Sequence, residues 1–162
     1  MRRHDIACLN HLATILVDAG KLYARAARIA DDPKVVDRIE RTMAERDRLL
    51  TEIRSLIISL RGEQRENGTF LGSAHKAFLN ARALFDNDEK SALGEVQRGE
   101  RYLCEEIRKS IRNDELSAEV RAFLGLALDR IVSGEMRIEG ALEDVKHRPQ
   151  PPKSIHPMPP HN

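Results

Sequence analysis

The chain has 162 residues, enough for one domain with a real core, and only 4% of them are aromatic, a composition that suits packed helices better than sheets. Its 27 basic residues stand against 26 acidic ones, so it lacks the basic excess that marks a nucleic-acid or anionic-membrane partner. No apolar run approaches the roughly 18 residues of a membrane span, which sets membrane proteins aside.

The N-terminus, MRRHDIACLN, carries two arginines, but Asp5, Asn10 and His11 interrupt what would be the core of a signal peptide. The expectation is a chain that begins here and stays in the cytosol. The first helix is predicted from about Asp5 to Ala30. Its seam is Ile6, Leu9, Ala13, Leu16, Gly20, Tyr23, Ala27 and Ala30, the 3-4 rhythm of bundle packing, with Leu12, Ile15, Ala19, Leu22, Ala26 and Ile29 in a row beside it. His11 and Asp18 fall on its polar side.

Asp31, Asp32 and Pro33 stop this helix and start the next: an acidic cap followed by proline at the first helical position. The second helix is predicted to run to about Arg61, with Val36, Ile39, Met43, Arg46, Leu50, Ile53, Ile57 and Leu60 along its seam and Gly62 as its terminator. So short a connection makes the first two helices antiparallel neighbours. A loop with an Asn67-Gly68 turn follows, then a shorter amphipathic helix from about Ser73 to Phe85. The third long helix is predicted from about Glu89 to Arg112 and the fourth from about Ala118 to Val145, joined by a turn at 113–117. The buried row of the fourth is Val120, Leu124, Ala127, Ile131, Gly134, Ile138, Ala141 and Val145.

The connection from Gly62 to Asn87 has 26 residues, enough to return along the bundle. Helices two and three can then run parallel. The expected fold is all-α: a ferritin-like four-helix bundle over residues 1–145, made of two antiparallel hairpins joined by a long crossover that contains a short helix. Residues 146–162 hold six of the seven prolines and read as an extended or disordered tail, with Pro149 to Pro160 as a segment open to docking on a partner. Cys8 and Cys104 lack CxxC spacing and read as reduced packing residues, with redox work as the alternative.

Three charges break the apolar seams near mid-helix. Arg46 lies at the centre of the second helix's arc, Glu100 takes an apolar position in the third, and Glu135 lies on the buried arc of the fourth, off its centre. A lone buried charge is very costly, so the expectation is that Arg46 forks onto Glu100 and Glu135. Gly20, Gly99 and Gly134 lie near this level and make room for polar side chains, a water or a small ligand. Tyr23 is a candidate to place its hydroxyl in the same cluster. Such a cluster either fixes helix register, binds a ligand or metal, or faces a gap or an oligomer contact.

The order of elements, LNHLATILVDAGKLYARAA at 9–27, Arg46 midway along the second helix and QRGER at 97–101 together resemble an uncharacterised bacterial family of ferritin-like four-helix-bundle proteins, a domain of unknown function. The resemblance covers residues 4 to about 145. It implies the bundle fold and no agreed activity. Ferritin-like bundles often carry a di-iron centre, which needs one Glu from each of two helices and a Glu-x-x-His pair from each of the others. This sequence has no Glu-x-x-His, and Arg46 brings a fixed cation to where metal would sit. No metal, cofactor or catalytic residue is therefore expected. The expected role is that of a non-enzymatic cytosolic protein that associates with copies of itself or with another protein. The alternative is a small-anion or metal-binding protein, or an enzyme, that uses the mid-bundle residues Arg46, Glu100, Glu135 and Tyr23. Nucleic-acid binding has only scattered arginines in its favour.

Overall fold

In the computed structural model of the chain, residues 1–65 and 88–149 are described. They form four helices: α1 (Arg2–Ile29), α2 (Pro33–Ser59), α3 (Glu89–Ile111) and α4 (Ala118–Lys146), with no strand among the described residues. None of these helices is long and apolar enough to cross a membrane. The predicted crossover helix, Ser73–Phe85, and the tail beyond Pro149 lie outside the described residues.

Side-chain caps start α2, α3 and α4 where the sequence marks them, whereas α1 begins at Arg2, ahead of the expected Asp5 and with no side-chain cap. Asp32 caps α2 by accepting from the Lys34 amide, with Pro33 at the first helical position. The Asp88 carboxylate takes the Ser91 amide and hydroxyl at 2.9 and 2.7 Å and so caps α3. Ser117 caps α4 through the Val120 amide.

The end of α2 corrects the expectation for Gly62. The left-handed residue is Arg61, with φ 56°. The Arg61 amide donates to the Ile58 carbonyl and the Gly62 amide to the Ile57 carbonyl, both at 2.8 Å, closing a Schellman cap. Gly62 is small for another reason: a Cβ there would lie 2.8 Å from the Ile6 side chain. The Gly position is set by close packing of α1, not by the turn.

Contacts between helices set their directions. His11 on α1 reaches Glu106 near the end of α3, while the Asp31 amide at the other end of α1 reaches Glu89 at the start of α3, so α1 and α3 are antiparallel. Arg38, Glu45 and Glu52 of α2 pair with Asp144, Arg137 and Arg130 of α4, again antiparallel. The short turns reverse the chain within each hairpin. Thus α2 runs parallel to α3, diagonally opposite it, and each packs on both α1 and α4. Arg65 and Asp88 consequently lie at opposite ends of the bundle.

Both ends are tied by polar side chains that periodicity alone does not reveal. Asp5, 2% exposed, accepts from the Ser117 amide and joins the start of α1 to the start of α4. The first helix thus carries an inward carboxylate at its tip. Asn10 is also buried: its amide donates to the Ile6 and Glu63 carbonyls, and its oxygen accepts from the Arg65 amide. At the other end Arg148, on the tail side of the expected boundary at 145, binds Glu89 at 2.7 Å and Asp32 at 3.0 Å.

The apolar interior falls into two clusters. One is built around Leu9, Leu12, Leu49, Ile53, Leu103, Ile107, Leu124 and Ile131. The other is built around Ala19, Tyr23, Ile39, Leu93, Val96, Ile138 and Ala141. On every helix the boundary between them falls near mid-length. On α2 the buried stripe is Val35, Ile39, Thr42, Arg46, Leu49, Ile53 and Ile57, so Val36, Met43 and Leu50 of the expected seam are only half-buried. Thr42 replaces Met43 inside because its hydroxyl is satisfied, donating to the Arg38 carbonyl and accepting from Arg137.

Candidate functional site

Arg46 and Glu100 meet in the layer between the two apolar clusters. Arg46 Nε donates to Glu100 Oε1 at 3.0 Å, and Nη2 donates to Glu100 Oε2 at 2.5 Å. A further bond runs from Nη2 to the Ile131 carbonyl on α4 at 3.1 Å. The two side chains are 1% and 0% exposed. This is a planar fork on a carboxylate, the geometry that makes such a pair directional. Parallel α2 and α3 place the two residues at one level, and α4 supplies the third partner from its backbone.

Gly134 is the cradle for this arrangement. A Cβ at that position would stand 2.1 Å from Arg46 Nη2 and 3.2 Å from the Thr42 methyl. No side chain fits there while the guanidinium is in place. Gly20 differs: nothing lies within 4 Å of where its Cβ would be, so it is not part of the cradle.

Burial opposes both charges. It lowers the Arg46 guanidinium to about 10, which still leaves it protonated at neutral pH. It pushes the Glu100 carboxyl well above the usual carboxylate range, and the nearby Glu135 charge pushes the same way. The fork on both oxygens opposes these effects, and Glu100 is the partner that gains a proton as pH falls.

Glu135 does not join the fork. Standing one residue after Gly134, it is turned by about 100° around α4, away from Arg46. It faces α3, where Arg101 Nε lies 3.3 Å from Oε1 and the Cys104 thiol donates to Oε2 at 3.5 Å. Burial, then the Glu135 charge, push the Cys104 thiol to about 12, so it is held as an unreactive thiol. Tyr23 is not in the cluster either. It is 1% exposed and packs with the second apolar cluster, and its hydroxyl is the one buried side-chain N or O without a hydrogen-bond partner among the described residues. Arg46 reaches Glu100 and Ile131 directly and forms no bond to the phenol.

Seam reading misses Arg137, which closes the layer on the α2–α4 side, and the placement of His11 between α1 and α3. Arg137 forks onto Glu45 at 3.1 and 3.0 Å and also donates to Thr42 Oγ1 at 3.1 Å. His11, expected on the polar side of α1, instead sits half-buried against α3 at 2.9 Å from Glu106.

A family model described as Domain of unknown function (DUF2383) matches residues 5–113. The chain belongs to that family. The DUF2383 match spans α1, α2 and α3 and ends in the turn before α4, so it contains Arg46 and Glu100 but neither Gly134 nor Glu135. No curated protein and no solved structure matches the chain.

A metal of the kind that carboxylate-rich bundles hold does not fit these residues. Both oxygens of Glu100 accept from Arg46, Glu135 is turned toward Arg101, and the guanidinium adds a fixed positive charge. Among the described residues no group of three or more His, Cys, Asp or Glu side chains is placed to hold a metal ion.

Proposed function

We propose that this chain is a ferritin-like bundle whose mid-bundle layer is a structural ion pair, and that it works in the cytosol by association with copies of itself or with another protein, not by catalysis. The single observation that carries this reading is the Arg46–Glu100 fork, buried, with both carboxylate oxygens accepting from the guanidinium, and backed by Gly134. A buried fork of this kind fixes helix register and pairing and sets a fixed cation against the carboxylate where a metal would have to bind. The parallel run of α2 and α3 supports the ferritin-like assignment, because that connectivity needs one long crossover. The test is elemental analysis and light-scattering mass on one sample of the full chain. The expected result is no stoichiometric metal and a mass above that of one chain. A monomer carrying stoichiometric metal would overturn the proposal.

A further inference from the structure

We propose that the outward face of α1 docks an acidic amphipathic helix of a partner protein; this rests on the association reading above and names its surface and partner chemistry. Two hollows of about 260 and 90 Å³ lie along that face and share Asn10, Thr14 and Arg65. Together they run from Arg3 to Lys21, about 27 Å of helix at 1.5 Å per residue. Their floor is apolar or small: Ile6, Ala7, Ala13, Val17 and Ile57. Val17 is among the large apolar side chains the chain leaves exposed.

Arg3, Ala7, Thr14, Val17 and Lys21 lie along this face at steps of 4, 7, 3 and 4, with buried Asn10 beneath it. That is the spacing of a helix seam, and its small residues let a second helix approach closely. The rim is cationic. Arg3, Lys21 and Arg65 border the two hollows, and Asp18, the carboxylate among the described residues of their lining, is held by Lys21 at 3.1 Å. In a chain of net charge +1 this is a local asymmetry, and it selects acidic flanks on the occupant. A second copy using the same face would bring cation against cation, which disfavours a symmetric pair here.

The test uses the full chain and two labelled synthetic helical peptides with identical leucine heptads, one flanked by Glu and one by Lys. In fluorescence anisotropy the Glu peptide should bind at least about tenfold more tightly, and added salt should weaken it. Arg3→Glu with Lys21→Glu should reverse the preference while circular dichroism shows the helices intact. Equal binding of both peptides, binding of neither, or tighter binding of phosphatidylserine vesicles or a DNA duplex would overturn the proposal. So would a benzophenone amino acid in place of Val17 that crosslinks to residues 66–87 of its own chain or to a second copy in the presence of the Glu peptide. If the Glu peptide is refused while light scattering still reports an oligomer, this inference fails and the association reading stands.

Discussion

Arg46→Met isolates what the buried fork does. The substitution keeps an apolar stem of similar length and removes all three hydrogen bonds of the guanidinium. Glu100, 0% exposed, is left without a counter-ion. An unpaired buried charge costs on the order of 3–5 kcal/mol. Glu100 can escape by taking a proton. At pH 7 that means protonating a group whose ordinary pKa is about 4.3, roughly 2.7 units at 1.36 kcal/mol each, or about 3.7 kcal/mol. At pH 5 the same step costs only about 1 kcal/mol. The loss should therefore be about 3–4 kcal/mol at pH 7, a fall in melting temperature on the order of 10 °C, and should shrink by more than half at pH 5. The direction follows from burial, which already holds the Glu100 carboxyl above its ordinary value: losing the guanidinium raises it further, so the extra cost is absent below the ordinary carboxylate value and grows as pH rises. Pairing Arg46→Met with Glu100→Leu should bring stability back to within about 1 kcal/mol of the parent, because no buried charge remains. Urea unfolding at pH 5, 6 and 7 measures all of this. A single-mutant cost below about 1 kcal/mol, a cost that does not change with pH, or simple additivity in the double mutant would refute the reasoning.

Gly134→Ala should destabilise the chain by about 1–2 kcal/mol, since crowding of the held guanidinium outweighs the roughly 1 kcal/mol helix-propensity gain. The same change at Gly125, where nothing lies within 4 Å, should stabilise by up to about 1 kcal/mol, and thermal melts of the two variants separate cradle from generic glycine. Tyr23→Phe removes a buried hydroxyl that bonds nothing and should leave stability unchanged or raise it; a loss above about 1 kcal/mol would place the phenol in a bonded network.

The pairing of Arg46 with Glu100 is legible because each interrupts an otherwise apolar seam, and two charges in one core must meet. Gly134 is legible as a small residue at the right level, though not as a steric necessity. Other features turn on distinctions that periodicity does not make. Val35 and Val36 are identical residues side by side, as are Leu49 and Leu50, so the pattern cannot say which of each pair faces inward. Thr42 and Met43 invert the hydrophobic ranking, because a neighbouring arginine and a helix carbonyl satisfy the threonine. Glu135 and Gly134 differ by a single step, which is enough to turn a carboxylate from the core toward Arg101. Asp5 and Asn10 are buried by bonds to backbone amides and carbonyls of distant segments, and such partners leave no mark in side-chain spacing. Arg61 takes the left-handed cap position next to a glycine that packing requires elsewhere. The ends of the helices, marked by proline and acidic caps, agree with expectation far better than the rotation of each helix about its axis.

The central claim is that the middle of the bundle holds an ion pair and not a metal centre. Its most direct test is aerobic addition of iron(II) to metal-free protein, followed by near-ultraviolet absorbance against a protein-free blank. The account predicts oxidation at the rate of the blank, with no saturation. Rapid oxidation that saturates at about two irons per chain, the stoichiometry of a carboxylate-bridged centre, and is abolished by Glu100→Ala would contradict it.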